Sequence, residues 1–245
     1  MRLGLADMLP PILMHAINRN CQNHNFFGDY PTWEAALADA APYQTDLNAY
    51  GAITERIRRG EATSGRNLMP ILAGVLLGGG KVIDYGGNLG FIYFEVARLM
   101  ASRIEWWRIV DLPRVVDYGN AHLADGKLAF FDAADKALDG GAPDVVICSH
   151  TLQILVEPYA TLTSLLEKEP EILILHELPV GRERIMIQRL PPALGGGAFP
   201  ARILSEAKLD DATSRYKMIA EMNLPAWAPF EGVRQVARLY KRKAV

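Results

Sequence analysis

A chain of 245 residues, half of them hydrophobic and 22% charged, has enough apolar surface for one large domain or a domain with an appendage, and too much for disorder. Its net charge of −2 offers no basic face for a nucleic acid, and it lacks a run of about 18 apolar residues, so no membrane span is expected. Cys21 and Cys148 show neither metal-ligand nor C-x-x-C spacing and no secretory cleavage pattern is legible; a soluble, cytoplasmic protein is expected.

Residues 1–70 read as helical and irregular, without strand alternation. Thr32 is a suitable N-cap for a helix beginning at Trp33. A second amphipathic helix is expected over 46–59, and a third over 67–77, where Pro70 falls in the first turn. Such a segment is not expected to join a sheet. It reads as a helical cap, residues 1–78, over the domain that follows, or as a homodimer interface.

Residues 79–245 alternate apolar strands with helical stretches, which predicts an α/β domain whose parallel sheet is covered on both faces. Val82 and Ile83 end a buried strand that closes on Asp84, and a helix is expected over 91–102. Further strands are expected over 106–110 before Asp111, 127–131 before Asp132, 143–148 before Ser149 and His150, and 171–175 before His176 and Glu177. The candidate polar residues thus fall at carboxyl ends of strands, the edge where open parallel sheets bind ligands. A helix over 158–167 separates the last two strands. Arg184–Arg189 alternates as a short strand; Pro191, Pro192 and Gly195–Gly197 then form a loop that either covers the site or is a surface connection. A helix near 205–210 and two strands, 216–223 and 234–240, complete the chain as an antiparallel edge. The Lys241-Arg242-Lys243 run reads as a solvated strand end.

The stretch Asp84-Tyr85-Gly86-Gly87-Asn88-Leu89-Gly90 joins a strand, a glycine turn and a helix N-terminus, a setting suited to a nucleotide-like ligand. Its spacing fits neither the G-x-G-x-x-G dinucleotide fingerprint nor a P-loop, which needs Gly-Lys-Ser/Thr. Asp111, at the end of the next strand, can accept both hydroxyls of a ribose, cap the following helix, or do both. Asp132 can accept from an adenine amino group, with Phe131 or Leu112 beside the ring, or cap the stretch after it.

The glycine stretch resembles the acidic-x-G-x-G-x-G loop of class I S-adenosylmethionine-dependent methyltransferases. Asp84, Gly86 and Gly90 fall on signature positions, and Asn88 replaces the middle glycine, a residue that tolerates left-handed backbone. Asp111-Leu112-Pro113, Ser149-His150-Thr151-Leu152-Gln153, the Gln188–Pro192 region and the lead-in around Tyr30–Glu34 and Gly60–Ala62 are similar to a family of bacterial members whose acceptor is unassigned. The resemblance implies a Rossmann-like, mostly parallel seven-stranded sheet and S-adenosylmethionine as cofactor. It implies Asp84, Gly86, Gly87, Asn88, Gly90, Asp111, Leu112, Phe131, Asp132 and Ser149 as its binding residues, and methyl transfer to a small-molecule or glycan-type acceptor, most simply at oxygen.

A hydroxyl acceptor must be aligned with the methyl group and lose a proton, a task suited to histidine. His150 and His176 lie on the predicted edge, with Glu177 placed to orient an imidazole or bind a polar acceptor; His15, His24 and His122 do not. His150 reads as a general base or as a pocket residue, and His176 as a base or a polar cap. Tyr85 and Phe91 flank the glycine loop as pocket or core residues, and Arg184 and Gln188 share a strand face that could meet an acceptor. No metal site is expected. Two alternatives stand: a non-catalytic scaffold that keeps the fold, and a nicotinamide-dependent reductase. The latter is disfavoured because none of the nine tyrosines has a lysine four residues on.

Overall fold

The computed structural model describes residues 26–40, 46–138, 141–190, 197–225 and 230–244. In chain order the elements are β1 (Phe26–Tyr30), α1 (Trp33–Asp39), α2 (Leu47–Arg58), α3 (Met69–Val75), β2 (Gly80–Tyr85), α4 (Phe91–Met100), β3 (Ile104–Val110), α5 (Pro113–His122), β4 (Leu128–Phe131), α6 (Ala134–Ala137), β5 (Val145–Ser149), α7 (Pro158–Leu166), β6 (Ile172–Val180), β7 (Arg184–Arg189), β8 (Ala198–Ile203), α8 (Glu206–Ala212), β9 (Tyr216–Leu224) and β10 (Arg234–Arg242).

Seven strands form one sheet in the order β4-β3-β2-β5-β6-β10-β9. The first five in that order pair in parallel, and β10 runs antiparallel to both β6 and β9. Alternation along the strands divides the core into two layers. Val82 and Ile147 face one layer with Tyr93, Trp107 and the apolar sides of α2 and α3. Ile83, Val146 and Cys148 face the other, with Leu162 and Leu165 of α7 and Leu209 of α8. The strand order reverses between β2 and β5, and there the connections leave in opposite directions and open a crevice at the carboxyl edge.

The capping residues behave as their chemistry dictates. Thr32 Oγ1 accepts from Ala35 N at 3.1 Å, Asp46 caps α2 through the N–H groups of Asn48 and Ala49, and Ser205 caps α8.

Three expectations are corrected. Residues before 70 do enter a sheet: β1 pairs antiparallel with β7, which pairs with β8 in a separate three-stranded sheet. Its sequence hides the strand because Phe26 and Phe27 are both buried and Gly28, at φ +88°, shifts the register and breaks alternation. The glycine- and proline-rich region after β7 is not loop throughout, since Ala198–Ile203 is β8; Pro200, opposite Ile187, is tolerated on an edge strand, where a missing N–H leaves no ladder bond broken. The other part of that loop, 191–196, lies outside the described residues, as do Cys21, His15 and His24. Finally, β6 does not end before His176 but runs on to Val180. Leu175 pairs with Arg238 and Leu178 with Val236, so His176 and Glu177 together oppose Ala237 alone. This is a β-bulge.

Candidate functional site

The site begins where β2 meets α4. Gly86 N–H donates to Val110 O at 2.7 Å, tying the loop to the end of β3. Gly86 has φ +73°, and a Cβ there would lie 2.3 Å from Thr151 Oγ1; at Gly87 a Cβ would lie 2.6 Å from Asp84 Cγ. Both positions therefore require glycine for close approach. Asn88 has φ +50°, so the residue that replaces the expected middle glycine adopts the left-handed backbone that Asn accommodates. Gly90, at φ +81°, is the N-cap of α4.

Asp111 closes this loop from β3. Its Oδ2 accepts from Asn88 N–H at 2.8 Å and its Oδ1 from Leu112 N–H at 2.7 Å. Burial raises its pKa against the pull of those two N–H groups. Asp84 is fully buried beneath the loop, where the Arg66 charge and the Trp107 indole N–H favour its ionised form. Loss of solvation pushes its pKa up to about 7, opposed chiefly by the Arg66 charge.

On the other side of the crevice, Ser149 and His150 end β5. Arg66, from the loop between α2 and α3, reaches across to them: its Nη1 donates to Ser149 Oγ at 2.6 Å and to Ser149 O at 3.0 Å, and lies 3.8 Å from Glu177 Oε2. The Arg66 loop is held by Glu95 of α4, which accepts from Ser64 N–H and Ser64 Oγ–H, each at 2.6 Å. Ser149, having accepted from Arg66, donates to His176 Nδ1 at 3.0 Å. The bulge in β6 makes this gathering possible. Regular alternation would send adjacent side chains to opposite faces, but His176 meets Ser149 while Glu177, at φ +56°, stands 3.7 Å from His150 Nδ1 and next to Arg66.

His150 is also left-handed, φ +55°. Three of the five non-glycine residues with positive φ among the described residues, Asn88, His150 and Glu177, lie here, a concentration of backbone strain of the kind found at functional sites. Burial and the Arg66 charge push the pKa of His150 down to about 3 and that of His176 down to about 4, so both rings are neutral near pH 7. Burial pushes Glu177 upward, again opposed by Arg66.

These groups surround a cavity of about 400 Å³. Gly86, Asn88, Asp111, Leu112, Asp132, Ser149 and His150 of the expected residues line it. Asp84, Gly87 and Gly90 support the loop from behind, and His176 and Glu177 stand behind Ser149 and His150. Phe131 packs against the core under the Arg108 guanidinium, 5.7 Å from its ring centroid. Asp132 pairs with Lys136 at 2.8 Å. Arg184 is drawn away from the cavity, 3.4 Å from Asp29 and stacked over Phe230, whereas Gln188 reaches His150. Tyr85 lines the cavity; Phe91 stacks on Tyr50 at 5.9 Å.

Two lining residues escape sequence reasoning: Tyr50, within an ordinary amphipathic helix, and Arg66, the cation on this wall, whose partners lie more than 80 positions later. The Gly60–Ala62 similarity pointed to that loop without identifying the arginine. Among the described residues no group of three or more His, Cys, Asp and Glu is placed to hold a metal, and no helix is long and apolar enough to cross a membrane.

No known family profile matches the sequence, and no curated protein sequence matches it. Solved structures do. An S-adenosylmethionine-dependent methyltransferase from Clostridium acetobutylicum is 7% identical with a TM-score of 0.53, covering 81% of this chain and 99% of its own. The N-terminal domain of EvdMO1, solved with S-adenosylhomocysteine (SAH) and D-fucose, is 14% identical with a TM-score of 0.50, covering 79% and 97%. A pericyclic reaction enzyme is 11% identical with a TM-score of 0.51, covering 82% of this chain and 55% of its own. Strand order and these likenesses together give the chain the fold of class I S-adenosylmethionine-dependent methyltransferases.

Proposed function

We propose that the cavity binds S-adenosylmethionine and that the chain transfers its methyl group to a small-molecule or glycan-type acceptor, at oxygen. The observation that carries the reading is Asp111: a carboxylate at the end of the strand next to the glycine loop, on the cavity wall and fixed by Asn88 and Leu112 N–H groups. The residues fit the ligand. Asp111 would hold the ribose hydroxyls, and the exposed Leu112 side chain and Asp132, both on the cavity wall, would meet the adenine. The glycine loop, closed so tightly that a Cβ at Gly86 has no room, would lie along the thioether portion, and Arg66 would meet the α-carboxylate. Bound S-adenosylmethionine supplies a methyl group on a sulfonium, activated for in-line displacement.

The chain's own contribution is positioning and exclusion of water. Ser149 and His150 form the wall beside the crevice, with Arg66 and Glu177 setting their orientation. His150, neutral, would accept a hydrogen bond from the acceptor hydroxyl and take up its proton as the methyl group passes to that oxygen and the thioether leaves. Two of the solved structures of this fold suit the reading, one named as a methyltransferase and one solved with SAH and a sugar.

A second reading has one specific observation in its favour. Both site histidines are held well below their ordinary range and are weak proton acceptors, which suits a protein that binds the adenosyl ligand without methylating a hydroxyl, as a scaffold or for another reaction on this fold. Incubation with methyl-labelled S-adenosylmethionine and a panel of sugars, phenols and amines separates the readings. Label transferred to a hydroxyl compound supports the proposal; binding with no transfer to any acceptor class favours the second.

A further inference from the structure

His150 stands where three elements meet: the end of β5, the bulge of β6 and the middle strand of the second sheet. Its backbone N–H donates to His176 O at 2.9 Å, and its Nδ1 lies 3.7 Å from Glu177 Oε2. Its Nε2 lies 3.0 Å from the side-chain nitrogen of Gln188. An amide nitrogen only donates, so Nε2 presents a lone pair to Gln188, and the single proton of the neutral ring sits on Nδ1, toward the Glu177 carboxylate. The Gln188 side chain is held beside the ring by its surroundings. It is 2% exposed, and its strand is paired on both sides, with Phe26 of β1 opposite on one and Phe199 of β8 on the other.

We propose that Gln188 is a positioning residue: acting from the second sheet, it fixes the tautomer of His150 so that Nε2 is the ring's hydrogen-bond acceptor at the cavity wall. The acceptor molecule would then be one that carries a hydrogen-bond donor, a hydroxyl or an amine, able to take the place of the Gln188 amide on Nε2. That last assignment rests on the methyl-transfer reading; the tautomer does not. The arrangement also gives the second sheet, with its N-terminal strand β1, a purpose that the fold alone leaves unexplained. Among the described residues, the charged and titratable groups acting on the ring include Arg66 from the loop before α3 and His176 and Glu177 from β6.

The test uses the full chain with isotopically labelled histidine, its imidazole nitrogens observed near neutral pH by long-range proton–nitrogen correlation. His150→Gln identifies the His150 signals. The parent should show Nδ1 protonated and Nε2 unprotonated. In Gln188→Leu the His150 signals should move to the averaged positions of a ring exchanging between tautomers, with His176 unmoved. In Gln188→Glu the carboxylate should draw a proton onto Nε2, inverting the pattern or protonating both nitrogens. A parent ring with its proton on Nε2, or His150 signals unchanged in a folded Gln188→Leu or Gln188→Glu chain, overturns the proposal. Because the spectrum is recorded without ligand, a failure to bind SAH would sink the methyl-transfer reading and leave this result standing, and the converse holds.

Discussion

Arg66 Nη1 lies 2.6 Å from Ser149 Oγ, so a loop from the N-terminal lead-in is bonded directly to the end of the strand on the far side of the crevice. Through that contact one positive charge reaches Asp84, His150, His176 and Glu177, and it is among the forces that shift each of them. In Arg66→Met, SAH should bind about ten- to a hundredfold more weakly, the range of a lost charge-assisted hydrogen-bonded contact. 5′-Methylthioadenosine, which lacks the amino-acid portion, should bind the variant as it binds the parent. Calorimetry with both ligands checks this; equal losses for the two would place Arg66 outside the carboxylate subsite.

Asp111 and Asp132 both line the cavity but differ in setting. Asp111 is fixed by two backbone N–H groups, whereas Asp132 is paired with Lys136 in solvent. Asp111→Ala should weaken SAH by about tenfold or more, and Asp132→Asn by a few-fold at most, since an exposed pair contributes little. The reverse order would move the ribose away from Asp111.

Gly86→Ala should lower stability by roughly 1–3 kcal/mol, because a non-glycine residue at positive φ is strained and its Cβ would collide with the Thr151 side chain. Urea unfolding measures this. Gly65→Ala is the control: also left-handed, φ +72°, but with no atom within 4 Å of an added Cβ, it should cost only the backbone strain.

The Asp84 carboxyl, pushed up to about 7 by burial, favours its proton in the folded chain. Its contribution to stability is complete below the unfolded value near pH ~4 and is lost as pH rises to about 7, at about 1.4 kcal/mol per pH unit. His150 and His176, with pKa pushed down, act in the opposite sense: the unfolded chain takes up their protons below about pH 6.5, so their contribution is lost as pH falls. Comparing Asp84→Asn with the parent isolates the carboxyl. The variant's stability relative to the parent should rise between about pH 4 and about pH 7 and level off above that, and a difference independent of pH would show that Asp84 does not titrate in that window.

Much of this arrangement was legible in the sequence because it is local. The apolar strands alternate with helices, and Asp84, Asp111, Asp132 and Ser149 each follow an apolar run, so their place at one edge follows from topology. What was hidden depends on non-local pairing. The strand Phe26–Tyr30 is recognisable only beside β7. The bulge at His176 and Glu177 exists because β10 supplies one residue opposite two, and without it the sequence suggests a strand that ends at Leu175. Arg66 sits in a polar loop that looks like any connection until Ser149 is brought to it, 83 positions later.

The central claim, that this cavity takes an adenosyl ligand against Asp111, is tested most directly by calorimetry of the parent chain and of Asp111→Ala with SAH. Saturable one-to-one binding by the parent, weakened by about tenfold or more in the variant, is the predicted result. No heat from the parent with SAH or with S-adenosylmethionine, or binding unchanged in Asp111→Ala, would contradict it.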